Sequence, residues 1–292
     1  MSDIESLLKE SALVSGLKKR APFLYKAAFS AYFRLKALVD MPRYLFCRAA
    51  GRAYFGPVML GAQTWGVRDP HMRKALALAV ASARARGDKE PRVLEIGSWA
   101  GQSAILWAAE LARAGSGKVY CVDPWRSFLR AEVIGDNTAV SLMDQVARRD
   151  RIFPLFWHNV KSSGFAEAII PLRGFSRDIL PLLQPRSFDL IFVDGSHAFS
   201  DFIADLALAA PLVKESGIIC GDDLEFQLDE VDAAFAEANR EKDFVADPRT
   251  GRDYHPGVTC GVARFFGGRV ACRDGFWLMK KTGARWKDAE LG

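Results

Sequence analysis

Three acids and one histidine at the ends of two apolar runs are the residues of this sequence best placed to do chemistry. SFDLIFVDG at 187–195 delivers Asp194 directly after Leu190 to Val193, and His197 follows three positions later; GIICGDD at 217–223 ends in Asp222 and Asp223. If both runs are neighbouring strands of a parallel sheet, these side chains meet beyond its carboxyl edge, where open α/β sheets bind ligands. Three carboxylates brought together repel one another unless a cation joins them or a proton is shared, so Asp194, Asp222 and Asp223 imply a divalent metal. Oxygen ligands without clustered His or Cys favour Mg²⁺, with Mn²⁺ or Ca²⁺ as the other options. The competing reading is that these acids cap helices or pair with arginines. Beside a cation and a bound hydroxyl, His197 is a candidate general base, its ordinary pKa of about 6.5 suiting proton abstraction near neutrality.

A second constellation lies upstream, in RVLEIGSWAGQSAILW at 92–107. Val93, Leu94 and Ile96 read as a buried strand, Gly97 and Gly101 bracket a tight turn, and from Gln102 the apolar residues recur at helical spacing. Glycines there let a nucleotide-like ligand lie against main-chain N–H groups. The spacing is Gly-x-x-x-Gly with Glu95 before it, which lacks the third glycine of a dinucleotide fingerprint, and an acid in that place suits a cationic head rather than a pyrophosphate. A further strand, Val119 to Val122, ends in Asp123, 22 residues after Gly101, where a carboxylate can accept both ribose hydroxyls of a nucleoside. A turn or N-cap aspartate before Pro124 is the plain alternative. Ile169 to Leu172 reads as a third strand whose end carries Ser176, either an adenine-side contact or a helix N-cap.

The elements that must position these residues follow from the spacing. Strand, helix, strand in this order implies parallel pairing through right-handed crossovers. Helices are expected over His71 to Arg86, Gln102 to Arg113, Thr138 to Arg149, Phe199 to Val213 and Leu228 to Glu241, a connector over Phe153 to Ser163, and a closing hairpin over Arg269 to Lys281 around Asp274 and Gly275. Val258, Val262 and Phe265 keep helical spacing, and His255 before them is a second histidine that could face a substrate.

The 292-residue chain has net charge +5, but residues 1–52 hold ten Lys/Arg against four Asp/Glu, and the remainder holds thirty against thirty-one. Residues 11–39 interleave Leu, Phe and Tyr with Lys18, Lys19, Arg20, Lys26, Arg34 and Lys36, a basic amphipathic helical pattern interrupted near Pro22. It is neither a signal peptide nor a spanning helix. Two roles compete for it: a lid or oligomer contact packed on the catalytic domain, or peripheral attachment to an anionic membrane surface. The frequency of basic amphipathic helices in ordinary cores favours the first. Tyr54 to Trp65 reads as a glycine-rich loop able to close over a ligand. The near-neutral remainder excludes a broad phosphate-binding face, so no nucleic-acid partner is expected. Five cysteines without a C-x-x-C pair point to a reducing cytoplasm. The expected organisation is an N-terminal helical extension over 1–70 and one α/β domain over 71–292.

EIGSWAGQS, LRGFSRDILPLL, FDLIFVDGSH and GIICGDD, in this order and spacing, resemble the class I S-adenosylmethionine (SAM) dependent methyltransferases, and within them the metal-dependent O-methyltransferases of the catechol and macrocin type. The resemblance covers about Pro91 to Asp223. It implies a Rossmann-like, mostly parallel seven-stranded sheet with helices on both faces. It also implies that Glu95, Gly97 and Ser103 hold the methionine end of SAM, with Ser98 and Gly101 in the same turn, Asp123 the ribose and Ser176 the adenine side. Asp194, Asp222 and Asp223 would be ligands of Mg²⁺ or another divalent cation, and Asp194 and His197 the catalytic pair. The catechol enzyme has lysine in the place of His197 and asparagine in the place of Asp223, which points away from a catechol and toward a hydroxylated sugar, polyketide or glycolipid as acceptor. The expected reaction is in-line transfer of the sulfonium methyl to a hydroxyl oxygen. The rival reading is a membrane-surface or nucleic-acid-binding protein that keeps this fold without catalysis. A homo-oligomer is left open.

Overall fold

The computed structural model describes residues 21–59, 68–127 and 138–289. Residues 11–20 of the basic stretch and residues 60–65 of the glycine-rich loop lie outside them.

In chain order the elements are α1 (Pro22–Ala49), α2 (Asp69–Ala85), β1 (Arg92–Ile96), α3 (Gln102–Arg113), β2 (Lys118–Asp123), α4 (Thr138–Arg148), α5 (Ile152–Ser163), β3 (Ile169–Arg173), α6 (Ser176–Ile179), β4 (Phe188–Val193), α7 (Phe199–Ala209), β5 (Val213–Gly221), α8 (Ala233–Asn239), β6 (Val245–Ala246), β7 (Asp253–Tyr254), α9 (Pro256–Phe266), β8 (Ala271–Arg273), β9 (Phe276–Thr282) and β10 (Arg285–Asp288). Pairing gives the order β10-β9-β5-β4-β1-β2-β3, with β8 joined to β9 beside this path. β1 to β5 pair with one another in parallel, and β9 runs antiparallel to β5, β8 and β10. The expected seven-stranded, mostly parallel sheet is therefore present with β8 as an eighth strand.

The two-residue period of a strand sends alternate side chains to opposite faces. Leu190, Phe192 and Ile218 pack with Val93 and Val119 against Met72 and Leu76 of α2, Trp107 and Leu111 of α3 and Phe156 of α5. Ile191, Val193 and Ile219 pack with Leu94 and Val122 against Phe202 and Leu206 of α7, Val258 and Val262 of α9 and Trp277 of β9. Both faces are covered, which is why β4 is buried at all six positions and reads as a continuous apolar run.

Two sequence expectations are corrected. Residues 153–163 are not a connector but the body of α5, because Pro154 sits in its first turn, where a missing N–H costs nothing, and Ile152, Leu155, Phe156 and Val160 form one buried face. The helix expected over 228–241 is a single tight turn at Leu228–Glu230 followed by α8, with Asp232 accepting from Phe235 N as the N-cap that begins it. The closing hairpin is confirmed as β8 and β9 around Asp274 and Gly275, whose φ values of 53° and 84° make the tight turn.

Candidate functional site

The site is built where β1, β2, β4 and β5 end together. Gly97 follows β1 with φ 89°, and a Cβ there would collide with the Asp194 carbonyl after β4. The Asp194 amide in turn donates to Ile96 O at 2.9 Å, so the glycine turn and the first acid share one wall. Gly101, φ 84°, lies against the Phe156 ring of α5. The side chains of the turn face inward. Glu95 is fully buried beneath it, accepting from the Ser98 hydroxyl at 3.0 Å, from Ser103 and from Cys121 Sγ at 3.6 Å. Burial pushes Glu95 up to about 7, with the serine hydroxyls pulling the other way. Glu95, Ser98 and Ser103 thus brace the turn from inside.

Asp123 ends β2 and holds the neighbouring loops. Its Oδ2 accepts the N–H groups of Ser98 at 3.0 Å and Trp99 at 2.9 Å, and its Oδ1 accepts Trp125 N at 2.5 Å. Trp99 and Trp125 sit in the left-handed region at φ 42° and 46°, a costly conformation for a large side chain that persists here through these bonds and the Trp125 Nε1 donation to Trp99 O at 2.7 Å. A carboxylate has about four acceptor positions, so three amide bonds leave Asp123 room for about one ribose hydroxyl. Ser176 opens α6, and its hydroxyl bonds Asp205 of α7.

The three acids beyond β4 and β5 divide into two groups. Arg68, at the start of α2, places Nη1 3.2 Å from Asp194 Oδ2 and in contact with Asp222 Oδ2, with its guanidinium over the Phe192 ring. Burial works against the charge on Arg68, but Asp194 and Asp222 outweigh it. Asp223 instead lies between two histidines: His197 Nε2 is 3.0 Å from Oδ2, and His255 Nδ1 is 3.9 Å from Oδ1. His197 Nδ1 is 2.7 Å from Asp243, and His255 Nδ1 is 2.9 Å from Glu225. A carboxylate can only accept, so this geometry favours a proton on both nitrogens of His197. Burial would lower this imidazole's pKa, yet Asp223 and Asp243 raise it well above the ordinary range. The base expected to titrate near 6.5 is thus shifted toward its protonated form.

Among the described residues, the ligand atoms that come within 4.8 Å of one another belong to His197, Asp223 and His255. The expected three-aspartate cage is not assembled in that way, because Arg68 supplies the charge that joins Asp194 to Asp222. Asp223 with His197 and His255 still fits a divalent cation, since imidazole with carboxylate suits borderline first-row ions. Arg68 Nε is buried without a hydrogen-bond partner among the described residues. Sequence reasoning missed Arg68, Asp243 and Glu225. Arg68 alone had a signal, a cation directly before a helix-starting Asp-Pro, and it is not a specific one.

Residues 94–224 match the family described as a methyltransferase domain. No curated protein matches. Solved structures similar to this chain include the O-methyltransferase TomG from Streptomyces achromogenes, involved in tomaymycin synthesis and bound to SAM (20% identity, 73% of this chain and 80% of that one, TM-score 0.43). The O-methyltransferase NovP is similar at 14% identity over 72% and 80%, TM-score 0.47. The mycinamycin-pathway methyltransferase MycE, bound to Mg, SAH and mycinamycin VI, is similar at 16% identity over 69% and 48%, TM-score 0.38.

Proposed function

We propose that the chain is a class I, SAM-dependent O-methyltransferase acting on a hydroxyl of a small molecule, a reading supported by the match of residues 94–224 to the methyltransferase-domain family. The observation that carries this reading is the contact of Gly97 with the Asp194 backbone. It sets a nucleoside-binding turn and an acid–imidazole cluster against each other, so that a methyl donor on one side can face an acceptor hydroxyl on the other.

In the proposed reaction the acceptor oxygen attacks the SAM methyl, a C–O bond forms as the C–S bond breaks, and the products are S-adenosylhomocysteine and a methyl ether. The hydroxyl proton goes to His197 Nε2. For that, His197 must first be neutral, with Nδ1–H still donated to Asp243, which fixes the ring and its tautomer. Asp123 and the turn from Gly97 to Ser103 hold the donor, and Ser176 lies on its adenine side. Mg²⁺ or another divalent ion would be held by Asp223 with Asp194 and Asp222, leaving His197 Nε2 to take the proton; held instead by Asp223, His197 and His255, it would occupy that nitrogen, and His197 would be a ligand and not the base. Bound there, it supplies Lewis-acid polarisation of the acceptor oxygen. A sugar, polyketide or glycolipid hydroxyl is the proposed acceptor class.

The test combines calorimetric titration with SAM and NAD and an assay for S-adenosylhomocysteine release over a panel of hydroxylated acceptors, with and without EDTA. SAM binding without NAD binding, and acceptor-dependent release, are expected. Failure to bind SAM would overturn the reading, and full turnover in excess EDTA would remove the metal from it.

A further inference from the structure

Helix α1 has two apolar faces. One packs on the domain: Cys47 is buried, Tyr44 meets the Tyr54 ring at 5.1 Å, Asp40 accepts the Tyr54 hydroxyl at 2.5 Å and Arg48 donates to Pro154 O at 3.2 Å. The other points outward. Leu24, Leu35, Leu38, Val39, Leu45 and Phe46 are between 58% and 73% exposed, far more than side chains of this kind tolerate singly on one element. At about 100° per residue they fall within an arc of about 120°, directly opposite Asp40, Tyr44 and Cys47.

Charge edges this stripe on both sides. Arg34 lies along one margin, and Lys36 and Arg43 lie along the other, with Lys36 Nζ over the Tyr32 ring and Arg43 largely exposed while 3.7 Å from Asp40. Residues 22–52 contain six Lys/Arg and one acid, Asp40, which is turned to the domain. The 28-residue helix is about 42 Å long. No helix among the described residues is long and apolar enough to cross a membrane, so an apolar stripe of this kind lies along a surface rather than through it.

We propose that α1 docks by this outward stripe on an anionic lipid bilayer, in the plane of the interface, with Leu35, Leu38, Val39 and Phe46 in the acyl boundary and Arg34, Lys36 and Arg43 among the headgroups. Charge decides between a bilayer and a second copy of the chain. A two-fold contact through the same stripe would set basic margin against basic margin, whereas anionic headgroups complement both. The inference stands on α1 alone and does not rest on the methyl-transfer reading.

The experiment is sedimentation of the full chain with vesicles of phosphatidylcholine alone and of phosphatidylcholine mixed with phosphatidylserine, at low and high salt, with light scattering of the protein by itself. Binding to the mixed vesicles, weakened by salt, is expected. Val39→Asp should weaken it about tenfold or more, and Arg34→Gln about fivefold, with the circular dichroism spectrum and SAM affinity unchanged. The proposal is overturned by absence of binding to the anionic vesicles, by binding that Val39→Asp leaves intact, or by a dimer in solution that Val39→Asp converts to monomer.

Discussion

Each nitrogen of His197 faces a carboxylate, which favours the protonated ring and so sets the pH above which the residue can act as a base. Its folded pKa lies above the ordinary value, so the neutral form grows as pH rises and the acid limb of kcat should fall above 6.5 rather than at it. Asp243→Asn keeps an acceptor at Nδ1 but removes one of the two anions, and should move that limb to lower pH. His197→Ala should lower kcat by about 10² to 10⁴ with SAM affinity retained. A pH–rate profile checks both: a limb that Asp243→Asn leaves in place would show that Asp243 does not govern the base. At this scale the sequence drew attention to Asp194, Asp222 and Asp223 because they close apolar runs, and to His197 because it stands three residues beyond one. It could not reveal Arg68 or Asp243, whose partners stand 126 and 46 residues away and whose own neighbourhoods carry no pattern.

Among the elements, α5 does more than fill the space between β2 and β3. Asn159, fully buried on it, accepts from Tyr54 N at 2.8 Å and donates to Tyr54 O at 2.9 Å and Ala100 O at 3.0 Å. One amide thereby ties the segment after α1 to the glycine turn, with every bond formed inside the core. Asn159→Ala would leave three buried main-chain groups without partners, each costing about 1 to 3 kcal/mol, so a loss of at least about 3 kcal/mol is expected. Because Ala100 belongs to the turn, SAM affinity should weaken as well. Urea denaturation and calorimetric titration measure the two effects, and a stability loss with SAM affinity untouched would show that the tie does not reach the site. This linkage was invisible in the sequence, where aromatic crowding and Pro154 disguised α5 as a connector. The parallel strands, by contrast, were legible wherever burial on both faces made them continuously apolar. β10 was not, since Arg285–Asp288 is a short, polar, mostly exposed edge strand.

For the molecule as a whole, the same convergence of strand ends that builds the cleft encloses carboxyl groups, and that gives stability a definite dependence on pH. Burial lifts Glu95 from 4.5 to about 7 and Asp205 from 3.8 to about 7, the Ser176 bond to Asp205 only partly offsetting it. A carboxyl whose folded pKa is raised holds its proton longer in the folded state than in the unfolded one. Its contribution is therefore complete below the unfolded pKa and is lost as pH rises through the folded pKa. His197 and His255, also raised, act in the same direction over a higher range, while Asp223 and Asp243, held below the ordinary carboxylate range, withdraw their support only in acid. The protein should accordingly be most stable in mild acid and lose stability toward neutrality, with Glu95 alone accounting for on the order of 3 kcal/mol at most. Glu95→Gln keeps a group able to bond Ser98 and Ser103 but cannot ionise. Between pH 4.5 and 7 its Tm should change less than that of the wild type, and differential scanning calorimetry across this range decides the matter: parallel curves for the two proteins would mean that Glu95 is already ionised under the turn and that its enclosure carries no protonic cost.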